Sequence, residues 1–152
     1  MRIIILFITI FIYSLVVFAH DYENEIVLVD HPWMKIFQEN GAGYFSLKNK
    51  SETQNIKLIS ADSSQINKIE IHNIIMENDV MKMRPVDGGV TVKVGELIKF
   101  KPKSYHLMFF GIKGEYGKGD MIDIKLNFEN SASIIVKFKV DTAKVSNHNH
   151  EH

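Results

Sequence analysis

Short runs in which apolar and polar residues alternate recur along the chain, each bounded by turn-forming residues, and no long helical period interrupts them. Alternation of this kind is the mark of strands with one wet face and one buried face. It predicts strands over residues 25–29, 42–47, 55–61, 68–75, 80–84, 97–101, 105–112, 121–128 and 133–140. The clearest cases come late. Ile122, Ile124, Leu126 and Phe128 share one face against Asp123, Lys125 and Asn127, and Val136, Phe138 and Val140 oppose Ile135, Lys137 and Lys139. Turn signals separate the runs: Glu39-Asn40-Gly41, Glu77-Asn78-Asp79, Asp87-Gly88-Gly89, the stretch from Lys113-Gly114 to Gly119-Asp120, and Glu129-Asn130-Ser131. Nine short strands without a linker or repeat predict one all-β domain, built as a two-sheet sandwich.

The two ends do not follow the pattern. Met1 and Arg2 precede an apolar run from Ile3 to Val17, and Val17-Phe18-Ala19 fits the small-residue rule for cleavage after Ala19. Residues 1–19 therefore read as a signal peptide and residues 20–143 as the folded domain, with an uncleaved N-terminal anchor as the alternative. Such a leader predicts a periplasmic protein. From Lys144 to His152 apolar periodicity is lost, and the chain reads as a disordered histidine-rich tail.

Charge narrows the field little. Lys and Arg total 18 against 18 Asp and Glu, so nothing in the balance suggests nucleic acid or an anionic membrane surface as a partner. The absence of cysteine says more. It leaves an exported domain without disulfides, with no thiol for a lipoprotein anchor, no thiolate zinc site and no blue-copper His₂Cys centre.

Against that background, four side chains carry metal chemistry: His72, Met83, His106 and Met108. Imidazole accepts copper in either oxidation state, while the soft, uncharged thioether favours Cu(I) over zinc, magnesium or calcium. His106 and Met108 are one residue apart, so a strand aims both at one face and sends Leu107 and Phe109 to the other. His72 shares a face with Lys68 and Glu70, opposite Ile69 and Ile71, which predicts a position on the wet side or at its rim. Across the Glu77-Asn78-Asp79 turn, a hairpin is expected to carry Met83 toward His72. Taken singly, each residue has an ordinary reading, as a surface histidine or a core-filling methionine.

The spacing of the set resembles the PCuAC type of periplasmic copper chaperone, whose pattern is His, ten residues, Met, about twenty-one residues, then His-x-Met. Ten residues separate His72 from Met83 and twenty-two separate Met83 from His106; the extra one falls most easily in the Asp87-Gly88-Gly89 turn. Flanking words are similar too: His31-Pro32-Trp33, Gly41-Ala42-Gly43-Tyr44-Phe45, Met81 to Val86, and Lys101 to Met108. Asn73 stands where some members carry methionine. The resemblance spans roughly residues 31–140. It implies a cupredoxin-like Greek-key β-sandwich binding one Cu(I) through His72, Met83, His106 and Met108. The implied partner is the copper-accepting subunit of a respiratory oxidase, or its assembly factor. His31-Pro32-Trp33 reads as a packing element with Trp33 in the core, and Met81 as the methionine nearest the copper ligands.

Other readings stay open. His148, His150 and His152 alternate in the tail, a pattern suited to Cu(II), Ni(II) or Zn(II), and so make a possible secondary site. Cleavage after Ala19 would leave His20 at the N-terminus, where its amine and imidazole chelate copper as in copper monooxygenases, but no second brace histidine is evident. A storage or tolerance protein with no dedicated acceptor predicts the same ligands. No Ser/His/Asp triad, phosphate loop or paired-carboxylate site stands out, so the expectation is a non-enzyme.

Overall fold

The computed structural model describes residues 22–144; the expected signal peptide with its Ala19 cleavage point, His20, and the His148, His150 and His152 site lie outside them. All regular structure among the described residues is strand: β1 (Tyr22–Glu23), β2 (Val27–Phe37), β3 (Asn40–Asn49), β4 (Ile56–Asp62), β5 (Ile66–Glu77), β6 (Val80–Pro85), β7 (Val90–Val92), β8 (Leu97–Phe100), β9 (His106–Ile112), β10 (Met121–Phe128) and β11 (Ile134–Lys144). The nine expected strands are present. β1 and β7 are additions, too short to show an alternating pattern.

Two strands run well past their expected ends. β2 continues through His31-Pro32 to Phe37, because an irregularity between Asp30 and Trp33 accommodates the proline without ending the ladder with β3. β11 continues to Lys144, its last three residues pairing in parallel with Lys35, Ile36 and Phe37 of β2.

The strands form one continuous hydrogen-bonded path, in the order β6-β5-β9-β3-β2-β11-β10-β4-β7, with β1 on β2 and β8 on β3. This differs from two separate sheets. β2 bridges the halves, holding β3 antiparallel on one side and β11 parallel on the other, and register shifts in both pairings let the sheet turn a corner.

The curled sheet encloses one core. Ile122, Ile124 and Leu126 of β10 and Val136, Phe138 and Val140 of β11 are fully buried, as their alternation requires. They join Leu107 and Phe109 of β9, Leu47 of β3 and Leu58 of β4 in a single cluster. Phe138 sits at its centre, edge-on to Phe109 at 6.0 Å and to Phe45 at 5.7 Å between ring centroids. Gly43 leaves the room for these rings: a Cβ there would lie 2.5 Å from the Phe109 ring and 3.0 Å from that of Phe138.

Candidate metal centre

β5 pairs with β9 over Ile66–His72 and with β6 over His72–Glu77, so the two flanking strands meet at His72. Pairing is direct at the centre: His72 stands opposite His106 of β9 and opposite Pro85 of β6. Ile71, Leu107 and Phe109 point into the core, and period-two alternation turns His72, His106 and Met108 to the other face. That face continues across β3 and β2 through Tyr44 and Trp33, whose rings lie 4.4 Å apart, with Tyr44 6.3 Å from His106.

His72 is buried, not at a wet rim. The parity of its strand is as expected, but strands on both sides, with the His106 ring at 5.9 Å and the Phe110 ring at 6.4 Å, close it off. Trp33 is likewise displaced from the expected core. It is half-buried on the metal-candidate face, because the irregularity at His31-Pro32 sets it opposite Tyr44.

The two imidazoles are held in opposite tautomers. Nε2–H of His72 donates to a Glu70 carboxylate oxygen at 2.8 Å, and Nδ1–H of His106 donates to the Ser104 carbonyl at 2.8 Å. Carboxylate and carbonyl oxygens only accept, so in the neutral rings the remaining nitrogens carry lone pairs. Those nitrogens, His72 Nδ1 and His106 Nε2, are buried with no hydrogen-bond partner. Buried polar atoms are normally satisfied, and two orphaned acceptors on adjacent rings form a donor pair suited to a metal ion. Ring nitrogens ~2.0 Å from a metal would put two ligating ring centroids roughly 5–6 Å apart, which brackets the observed 5.9 Å.

The supporting groups are themselves fixed. Lys68 reaches Glu70 at 2.6 Å, and its hydrogen bond, followed by that from His72, holds the Glu70 carboxyl below the usual carboxylate range. A turn closed by Lys101 N–H to Tyr105 carbonyl at 2.9 Å and Ser104 N–H to Lys101 carbonyl at 3.1 Å, with Lys103 at φ 65°, sets the Ser104 carbonyl. Burial pushes His106 below the ordinary imidazole value, the Ser104 hydrogen bond opposing the shift and His72, when protonated, adding to it.

Register places the thioethers. Met108 lies two residues along β9 from His106, opposite Glu70 and Ala42. Met83 lies opposite Ile74 on β6. Both are diagonal neighbours of His72, roughly 7–8 Å away and within reach of long side chains, but they flank it on opposite sides along the strand. The structure thus brings His72 and His106 together with Met108 beside them, and leaves Met83 45% exposed on the projecting end of the hairpin. Among the described residues no three His, Cys, Asp or Glu side chains gather into a metal-binding group, which leaves the thioethers as the neighbouring donors. Glu70 and Ser104 are the functional residues that sequence reasoning misses, although alternation puts Glu70 on the His72 face.

A family model for LpqE-like lipoproteins matches residues 27–140. The chain belongs to the LpqE-like family. An uncharacterized relative, RP573 of Rickettsia prowazekii, is 34% identical to this LpqE-like chain over 101 residues, which is 66% of the chain and 55% of the relative's own length. Among solved structures, the copper-bound PCuAC domain from PmoF2 superposes with a TM-score of 0.68 at 15% identity, covering 82% of this chain and 99% of that domain. The solution structure of apo-DR1885 from Deinococcus radiodurans gives 0.60 at 19% identity, covering 82% and 84%. These likenesses establish the PCuAC, cupredoxin-like fold for the LpqE-like domain.

Proposed function

We propose that this LpqE-like protein is a periplasmic copper chaperone, exported by its leader, that holds one Cu(I) through His72, Met83, His106 and Met108. Its cargo goes to the copper centre of a respiratory oxidase, through the copper-accepting subunit or an assembly factor. The observation that carries the reading is the pair of orphaned imidazole nitrogens, His72 Nδ1 and His106 Nε2, turned to one face beside Met108. Two neutral nitrogens and two soft sulfurs favour reduced copper. The PCuAC domain from PmoF2, which shares the fold, is copper-bound, and this agrees with the reading.

Within this reading the histidines are the fixed part of the site and Met83 the movable part. β5 pairs with β9 only as far as His72, so the hairpin beyond it is free to swing Met83 toward the imidazoles when the ion arrives. Release follows by ligand exchange: thiolates on the acceptor, which attract Cu(I) more strongly than thioethers, replace the methionines first. The histidine tail gathers Cu(II) as a secondary site.

Copper K-edge absorption on the residue 20–152 protein with one equivalent of Cu(I), beside a form ending at Lys144, tests the reading. Sulfur and nitrogen scattering that survives truncation is expected. A nitrogen-only shell that vanishes with the tail would move the copper chemistry to His148, His150 and His152 and overturn it.

A further inference from the structure

The hairpin of β5 and β6 projects beyond the point where β9 stops pairing with it, and its two faces differ in kind. On one face Glu77 receives Lys82 at 2.6 Å and Arg84 at 3.1 Å, an ion-paired surface shared with Ile75 and Val80. The other face, which carries His72, presents Ile74, Met76, Met81 and Met83 and no charged group over that stretch. Met76 is 62% exposed and Met81 55%.

Three exposed methionines on one short face are a specific choice. Apolar docking is served as well by leucine or isoleucine, whereas the thioether adds a soft donor. Register puts them together. Met76 and Met81 are directly opposed, with Cβ atoms about 5 Å apart, and Met83 follows Met81 at one pleat repeat, roughly 7 Å along the strand. Flexible thioethers at these separations converge on a single ion. Met83 also borders His72, so the cluster touches the imidazole pair at one shared residue.

We propose that Met76, Met81 and Met83 form a second, solvent-facing Cu(I) site, a loading platform from which the ion passes through Met83 to His72 and His106. This inference rests on the reading of the chain as a Cu(I) carrier. The exposed cluster has no imidazole and no burial, so it binds more weakly than the buried pair and fills it downhill. Each step is an exchange of one neutral donor for another, with copper Cu(I) throughout and no proton or electron displaced. Capture next to the final site turns the second step into an intramolecular one and raises the loading rate by its effective concentration.

The full-length protein labelled with ¹³C at the methionine methyls and the histidine rings, titrated with Ag(I) as a redox-inert stand-in and then with Cu(I), decides the matter. In wild type the first equivalent is expected to move the His72 and His106 ring signals and the Met108 methyl. In the His72→Ala/His106→Ala variant, the Met76 and Met81 methyls should still shift, and Met76→Leu/Met81→Leu should slow Cu(I) loading of the imidazole pair by about tenfold while leaving its final occupancy unchanged. Met76 and Met81 methyls that stay fixed at saturating metal, or unchanged loading in the double leucine variant, would overturn the platform. Histidine signals that stay fixed while the Met76 and Met81 methyls shift would instead overturn the imidazole site and leave the thioether cluster standing.

Discussion

His72 and His106 offer different nitrogens because different acceptors hold their opposite edges, a carboxylate for one and a main-chain carbonyl for the other. Second partners of this kind fix the tautomer and raise ligand basicity, and their loss costs roughly 10–100-fold in metal affinity. Glu70→Ala is accordingly expected to weaken Cu(I) binding by about that factor with the strand circular-dichroism signal unchanged, as a chelator competition would read. His106 supplies a pH test. Its folded value lies below 6.5 because of burial, so the unfolded chain takes up a proton that the folded chain refuses. Metal-free stability is therefore complete above pH 6.5 and falls as pH drops through the depressed value. Urea midpoints measured at pH 7.5 and 5 should show the loss, and His106→Gln should shrink it. At this scale the sequence was informative about faces and silent about depth: alternation placed Glu70 with His72 and His106 with Met108, while the burial of His72 depends on strands arriving from both sides.

Among the elements, β3 is packed hard against the aromatic centre of the core, since Gly43 lies against the Phe109 and Phe138 rings. Gly43→Ala is an overpacking change in a filled core, and a cost of about 1–3 kcal/mol is expected, visible as a lower urea midpoint with an unchanged slope. Strand positions in the second half were legible because β10 and β11 each have one wet face. β2 was legible only to Val29. Pro32 signals a break, and an irregular pairing that absorbs the proline has no local signature; hence the misplacement of Trp33. The β5–β6 hairpin was expected from Glu77-Asn78-Asp79, and Asn78 and Asp79 do take φ of 51° and 60°, as a two-residue turn between right-twisted strands requires. The register across that turn is what sequence could not supply, and it decides which residues Met83 faces.

For the whole molecule the decisive pairing is β2 with β11, near the two ends of the described chain and parallel. It cannot form until most of the chain is in place, and such non-local topologies fold in roughly milliseconds to seconds. Refolding followed by Trp33, the single tryptophan, should be correspondingly slow; a microsecond phase carrying the full amplitude would contradict it. The all-β class was legible from alternation, but the continuous path was not, because it depends on where strands turn between layers. That path has two ends. β7 is three residues long, too short to recruit a neighbour, whereas β6 presents six residues of open backbone beside exposed methionines. Such an edge invites copies of the chain to add on strand by strand. On β6, however, Lys82 and Arg84 alternate with Met81 and Met83, and Pro85 closes the strand without a donor. A second copy joining there would bring cation against cation, so the strand that displays soft sulfur to solvent also resists its own aggregation.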